Sequence, residues 1–288
     1  MTSLFHYCST SAFDSIISNR SIQLSSLRLS NDTMEGKLVN EIIEKLAIQD
    51  ALDDASIKNL HDAVRFVTDL YDGLGFCLSE VGDLLSQWRG YADDATGFSI
   101  GFSKEYLLSL PADHAEKERS PCILTKVEYD LPNQEALVKP TYEEAKQILN
   151  SGELQIPSPP GLLSTKSEED FNKEIEVAKR AFFGMYSAIH RVVPNLYALK
   201  TDAFREEQEW RLTSYVPKGD TECSYKTLKN CIVPYIEIEL TKLDKGLEPI
   251  LEVVVGPKNL TPTDVVQNYL NKYGFDNVTI SRSKATYR

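Results

Sequence analysis

Two short stretches of this chain carry residues that could do chemistry. In the strand-like run Leu4–Cys8, His6 and Cys8 share one face because side chains alternate along a strand. Residues 9–11 (Ser-Thr-Ser) then suit a helix start, where backbone N–H groups attract anions. One face of the strand should be core. We predict that the other lines a pocket beside the helix N-terminus.

The second stretch is the late run ALKTDAFREEQEWRL, with Glu206, Glu207 and Glu209 just before or on a predicted strand. Taken alone, such a run is typical of a solvated charged loop. Glu209 and Arg211 nevertheless share a strand face, with Trp210 on the other. If Trp210 belongs to the core, Glu209 points to the side where a ligand could lie.

The segment SQWRGYADDATG offers a similar choice for Trp88 and Tyr91. Large aromatic residues at this helical spacing are usually core. A tyrosine at the end of a helix can instead form the wall of a pocket for a flat ring. Both interpretations stay open for the sequence alone.

Several familiar sites are not supported. His6 and Cys8 would supply two zinc ligands, but a zinc site needs a second pair at suitable spacing, so we expect no metal. The glycines at 73–75 lack the rest of a dinucleotide fingerprint, and neither a nucleophile elbow nor a P-loop is present. A cysteine–histidine catalytic pair stays open, because spatial neighbours are not visible in a sequence.

Composition limits the class of protein. The 288 residues are 42% hydrophobic and 26% charged, with a net charge of −12, which argues against broad binding to phosphate backbones. No apolar run approaches the roughly 18 residues of a membrane span, and no signal-peptide pattern is present. Five scattered cysteines predict reduced thiols. We therefore expect a cytoplasmic protein.

The elements that must position these residues are strands at both ends of the chain, with helices between them. We predict a single α+β domain over residues 1–288, with a mixed sheet and helical insertions at about 35–72 and 141–193. The predicted strands are Leu4–Cys8, Ser21–Ser25, 73–79, 96–103, 122–130, 209–216, 235–240, 250–256 and 277–283. The predicted helices run through Arg20, over about 35–70, and over 81–92, 141–150, 167–193 and Thr263–Tyr273.

Four segments together resemble an uncharacterised bacterial family of unknown function. They are FHYCSTSAFDSIISNRSIQLSSLRLSND, CLSEVGDLLSQWRGYADDATGFSIGF, LKTDAFREEQEWRL and VVVGP. Members begin with His-Tyr-Thr, carry Trp-x-x-Tyr before a glycine and a strand, and contain Glu-x-x-Glu-x-Arg late in the chain. That family in turn resembles the ADP-ribosyltransferase superfamily of the His-Tyr-Glu type, which implies a split mixed β-sheet.

The resemblance implies a site for NAD as substrate, without a metal. His6 would bind the ribose next to nicotinamide, and the backbone of Tyr7 would meet the nicotinamide amide. Tyr91 would stack on nicotinamide with Trp88 beside it. The residues that would hydrogen-bond the ribose or the phosphates are Ser9 and Thr10.

For the catalytic carboxylate, the resemblance points to Glu209, with Glu206 as the alternative and Glu207 orienting an acceptor. The chain departs from the family pattern at Cys8, where threonine is more common, and in the spacing of Tyr91 from its strand. Breaking the nicotinamide–ribose bond creates an oxocarbenium-like centre, which a fixed carboxylate stabilises.

The implied function is an NAD-dependent ADP-ribosyltransferase that modifies a macromolecule, as a toxin-like or defence effector. The alternatives are an NAD glycohydrolase and a non-catalytic module that binds a nucleotide or a partner. The acidic composition and Glu207 favour a protein acceptor over a nucleic acid. A local basic patch from Arg205, Arg211 and the terminal SRSKATYR would oppose that preference.

Overall fold

The computed structural model describes residues 2–29, 36–116 (without the side chains of 112–116), 122–155, 157–158, 167–219, 223–228, 230–241 and 246–287. The strands are β1 Ser3–Cys8, β2 Ser21–Ser26, β3 Tyr71–Ser79, β4 Phe98–Ser103, β5 Ile123–Lys126, β6 Glu209–Pro217, β7 Ser224–Leu228, β8 Cys231–Glu239, β9 Ile250–Val255 and β10 Thr279–Arg282. The helices are α1 Thr10–Asn19, α2 Leu38–Gln49, α3 Asp54–Leu70, α4 Leu85–Tyr91, α5 Lys104–Glu116, α6 Leu131–Asn150, α7 Glu168–His190 and α8 Thr263–Lys272.

The opening strand–helix–strand follows the sequence-based prediction. Ser9 caps α1, and its side chain accepts a hydrogen bond from the backbone N–H of Ala12 at 3.2 Å. The helix ends at Asn19, and the next residue, Arg20, adopts a left-handed conformation with φ of 53°. The buried residues of α1 are Phe13, Ile16 and Ile17, the apolar stripe expected from helical spacing.

The sheet has the neighbour order β10-β9-β4-β1-β3-β2-β8-β7, and it branches at β3. One end of β3 pairs with β2, as Gly75 lies opposite Ser25. The other end pairs with β1, as Ser79 lies opposite Phe5. Strand β6 also pairs with β3 and carries β5 on its other side. Because β9 and β10 are parallel while the other registered pairs are antiparallel, the predicted mixed sheet is confirmed.

Strand β1 is buried on both faces. Leu4 and Cys8 belong to the main hydrophobic cluster, together with the apolar residues of α1. Tyr7, on the opposite face, packs with Trp88 in a second cluster. Burial also raises the pKa of the Cys8 thiol, which disfavours a thiolate at this position. The sequence predicts that one face of this strand belongs to the core. In the structure, both faces carry buried residues.

The described chain divides into two compact units. The first consists of Met1–Ser30, Gly73–Val127 and Thr201–Arg288 and contains the strands of the sheet almost entirely. The second consists of Asn31–Asp72 and Glu128–Lys200 and contains helices α2, α3, α6 and α7. The segments of the second unit are similar in position to the predicted helical insertions. That the chain is a single domain stays a prediction.

Four elements differ most from the sequence-based prediction. Helix α6 begins at Leu131 rather than at residue 141, and Pro140 lies inside it. Helix α5 and strand β7 have no predicted counterpart; α5 also contains a proline, Pro111. The predicted strand 122–130 is reduced to Ile123–Lys126. Among the helices of the described residues, none combines the length and apolar character that crossing a bilayer requires.

Candidate functional site

The motif Trp-x-x-Tyr places one aromatic residue in the core and the other at the surface. Trp88 is fully buried, and its ring packs edge-on against Tyr7 with the centroids 4.9 Å apart. The indole Nε1–H donates to Asp83 Oδ1 at 2.7 Å. Tyr91, the last residue of α4, is 41% exposed. Trp88 therefore anchors α4, and Tyr91 is the predicted aromatic residue that a ligand can reach.

Tyr7 fixes the loop that leads into α4. Its hydroxyl donates to the carbonyl of Val81 and accepts from the N–H of Leu84, both at 2.8 Å. Burial raises the pKa of this phenol, so Tyr7 stays neutral at physiological pH. The side chain of Tyr7 thus positions Tyr91 indirectly. The ligand contact predicted for its backbone stays a prediction.

Tyr91 contacts one of the late glutamates directly. Its hydroxyl donates to Glu207 Oε1 at 3.2 Å, although the two residues lie far apart in the sequence. Glu207 is buried at the end of the 3-10 turn Asp202–Glu207, and Gln208 after it has φ of 42°. The Ser79 hydroxyl, at the end of β3, donates to the Glu207 carbonyl at 2.7 Å. The structure thus brings together two of the predicted site residues.

Glu209 is held by Arg211. The guanidinium Nε and Nη2 donate to the two carboxylate oxygens at 2.7 and 3.0 Å, and both side chains are buried. The predicted sharing of one strand face explains this contact. Trp210 is only partly buried, with Lys104 Nζ 3.9 Å from its ring centroid. Trp210 nevertheless packs against the main hydrophobic cluster, to which Leu212 on the same face of β6 belongs, so the condition placed on Trp210 is met in part.

The three late glutamates thus have different surroundings. Glu206 is exposed, Glu207 is buried beside Tyr91, and Glu209 is buried in a two-point pair with Arg211. Such a pair offsets the carboxylate charge. Glu207 therefore combines burial with a direct contact to the exposed side chain of Tyr91.

His6 is engaged in contacts of its own. Its Nδ1 lies 2.8 Å from the carbonyl of Cys77, and the ring stacks on Phe76 with the centroids 4.0 Å apart. Burial is the main cause that lowers the pKa of His6 to about 4, and the positive charge of Lys226 adds to it. The imidazole is therefore neutral at pH 7, with Nδ1–H as the donor to Cys77.

The predicted phosphate or ribose contacts of Ser9 and Thr10 compete with local ones. Ser9 is the cap of α1 and also lies 3.0 Å from the hydroxyl of Ser11. Thr10 Oγ1 donates to the carbonyl of Thr96 at 3.1 Å. Both hydroxyls therefore stabilise the start of α1 in this structure, and their role toward a ligand stays a prediction.

Asp83 is a residue that the sequence reasoning missed. Besides the Trp88 indole, it accepts the backbone N–H of Lys284 at 2.7 Å and the hydroxyl of Ser283. It therefore ties the support of α4 to the C-terminal segment. No spacing rule connects residues so distant in sequence, so no signal in the sequence could have indicated this contact.

We expect His6→Ala to lower the free energy of unfolding at pH 7 by about 1–3 kcal/mol, because the hydrogen bond to the Cys77 carbonyl and the ring contact with Phe76 are lost. Below about pH 6.5 the unfolded wild-type chain binds a proton at His6, whereas the folded chain binds it only near pH 4. Wild type should therefore lose stability over this interval, and its advantage over His6→Ala should shrink. Urea unfolding at pH 7, 6 and 5 measures the difference. A difference that is constant with pH would contradict the burial of a neutral imidazole.

No group of three His, Cys, Asp or Glu side chains in the described ranges is arranged as metal ligands would be. A family model described as "Protein of unknown function (DUF2971)" matches residues 87–212. The matched segment includes Trp88, Tyr91 and the three late glutamates, and leaves out His6. No curated protein and no solved structure matches the chain.

The resemblance to a family of unknown function is thus confirmed in part: a DUF2971 domain is found over less than half of the chain, and the match does not include the opening segment. Nothing in these comparisons links the chain to ADP-ribosyltransferases. The mixed α/β architecture is confirmed as well. The finer, ADP-ribosyltransferase-like description of the sheet stays a prediction.

Proposed function

We propose that this chain is an NAD-dependent ADP-ribosyltransferase that cleaves the nicotinamide–ribose bond and transfers ADP-ribose to a protein. The observation that supports this best is the hydrogen bond between Tyr91 and Glu207. An exposed aromatic ring and a buried carboxylate, both expected in one NAD site from distant segments, lie in direct contact. In this proposal the enzyme acts in the cytoplasm, as a toxin-like or defence effector.

Cleavage of the nicotinamide–ribose bond requires a fixed negative charge beside the leaving group, the flat nicotinamide ring. Cleavage of the bond develops positive charge on the ribose, which a preorganised carboxylate stabilises without reorganisation. Tyr91 would hold the nicotinamide ring, and its contact with Glu207 would keep that carboxylate at the ring. We therefore assign the catalytic carboxylate to Glu207, with Glu209 fixed by Arg211 as its neighbour on β6.

One observation favours a second candidate, a module that binds a nucleotide without turnover. The carboxylate of Glu209, which the family resemblance would make catalytic, is bound at both oxygens by buried Arg211. Such a pair is also typical of a purely structural contact. An NAD glycohydrolase would use the same groups as the transferase, with water as the acceptor.

Release of nicotinamide from NAD, measured with and without cell lysate, separates these functions. We expect release that depends on lysate, because a transferase needs its acceptor. Release without lysate would indicate a glycohydrolase. No release in either condition, from protein shown to be folded, would contradict the enzymatic proposal and favour the binding module.

We expect the acceptor to be a protein. Two of the described residues that could form a basic patch for nucleic acid have acidic partners: Arg205 pairs with Asp202, and Arg211 is buried with Glu209. Arg282, in the terminal segment, donates to the backbone carbonyls of Asn259 and Thr261. Labelled NAD and lysate, followed by separate protease and nuclease digestion, test this. Label that resists protease and is released by nuclease would make the prediction wrong.

A further inference from the structure

The helical unit contains a cavity of about 510 Å³ between α3 and α7. Aromatic residues from both helices line it: Phe66 from α3, and Phe182 and Tyr186 from α7. The Tyr186 ring lies 4.3 Å from each of the other two, measured between centroids, at interplanar angles of 60° and 61°. The three rings therefore form one inclined wall, which we call the aromatic groove.

The aromatic groove is open to solvent. Phe66 and Phe182 are 44% and 47% exposed, although large aromatic side chains usually occupy the core. Phe66 follows Asp62 by one helical turn and Asp69 lies three residues further on, which places all three on one side of α3. Their helical spacing therefore brings carboxylates and a ring to the same cavity.

The charge of the aromatic groove is negative. Asp62 and Asp69 line it together with one cation, Arg65, whose Nη2 lies 3.0 Å from Asp62 Oδ1. Two carboxylates and one guanidinium leave a net charge of −1. Burial raises the pKa of Tyr186, and the negative charge of Asp62 adds to this shift, in line with a negative field at the ring.

We infer that the aromatic groove binds a small organic cation of the methylated-ammonium class. Ring faces attract such cations through their quadrupole, and the methyl groups gain contact with apolar surface. The carboxylates supply the charge complement, and the cavity volume lies in the range of small-molecule sites. This inference does not depend on NAD chemistry, because all the residues belong to the helical unit.

The test compares choline with its uncharged isostere 3,3-dimethylbutan-1-ol, titrated into the full chain by calorimetry and by ligand-observed NMR. We expect choline to bind, and the isostere to bind at least about tenfold more weakly, because it lacks the charge that the rings and carboxylates attract. Equal binding of the two compounds would show an unselective apolar cavity and overturn the inference. So would the failure of choline to bind.

Two neighbouring variants make a matched pair. Phe182→Leu removes a ring of the aromatic groove and should weaken choline binding about fivefold to tenfold. Phe183→Leu removes the adjacent ring, which is 69% exposed and does not line the cavity, and should leave binding unchanged. Equal effects of the two substitutions would contradict the assigned site. Nicotinamide release should be the same in both variants, so failure here is distinguishable from failure of the proposed function.

Discussion

Replacing Glu207 with glutamine is expected to reduce nicotinamide release from NAD about a hundredfold or more. The substitution keeps the shape of the side chain and a hydrogen-bond acceptor for Tyr91, but removes the negative charge that would stabilise the positive ribose. Loss of one preorganised electrostatic group commonly costs this much in rate. Thermal unfolding, measured on the same preparation, establishes that the variant is folded at the assay temperature.

Two nearby substitutions serve as comparisons for Glu207→Gln. Asp202→Asn alters an exposed carboxylate in the same 3-10 turn, paired with Arg205, and should keep wild-type release. Glu206→Gln alters the exposed alternative and should also have little effect. Wild-type release by Glu207→Gln would make the assignment wrong, and a loss confined to Glu206→Gln would move it to that residue.

The largest loss of stability is expected for Arg211→Met. The guanidinium is 2% exposed and binds both oxygens of Glu209, so its removal leaves a buried carboxylate without that cation. Breaking a buried pair by removing one partner typically costs about 3–5 kcal/mol. Urea unfolding of the variant beside wild type measures the difference in the free energy of unfolding.

The double variant Glu209→Leu, Arg211→Met shows whether the loss comes from the stranded charge. Replacing both partners with apolar side chains should recover a large part of the stability. A single-variant loss below about 1 kcal/mol would contradict the burial of the pair. The same geometry means that Glu209→Gln also destabilises the chain, since Arg211 would lose its carboxylate.

The sequence predicts well what depends on local spacing. Ser9 as a helix cap and the apolar stripe of α1 follow from neighbours three or four residues apart. The shared face of Glu209 and Arg211 follows from strand alternation, and the structure adds that they form a buried pair. Within Trp88-x-x-Tyr91, spacing alone does not reveal which ring is buried, because that depends on Tyr7 packing from β1.

Prolines account for part of what the sequence misses in the fold. Pro140 argues against a helix across it, so the predicted helix starts after it. In the structure α6 continues through Pro140. The same bias hides α5, which contains Pro111. The gain from packing such helices outweighs the lost backbone hydrogen bond, and a local rule contains no information about that packing.

The contacts that define the candidate site are long-range, which is why spacing does not predict them. Tyr91 meets Glu207 because Ser79, at the end of β3, holds the carbonyl of Glu207. That arrangement depends on the branching of the sheet at β3, which pairs with β1, β2 and β6. The order of strands in a sheet is set by tertiary packing rather than by local propensity.

The pairing of β2 with β8 affects how the chain folds during its synthesis. Leu24 lies opposite Ile236, and β4 pairs with β9 in the same way, so two early strands keep open edges until residues 231–255 have left the ribosome. Unpaired strand edges are templates for aggregation, and non-local pairing is slow. The helical unit, complete at Lys200, can fold earlier. Production of this protein should therefore respond to translation rate and to chaperones that shield nascent β-strands.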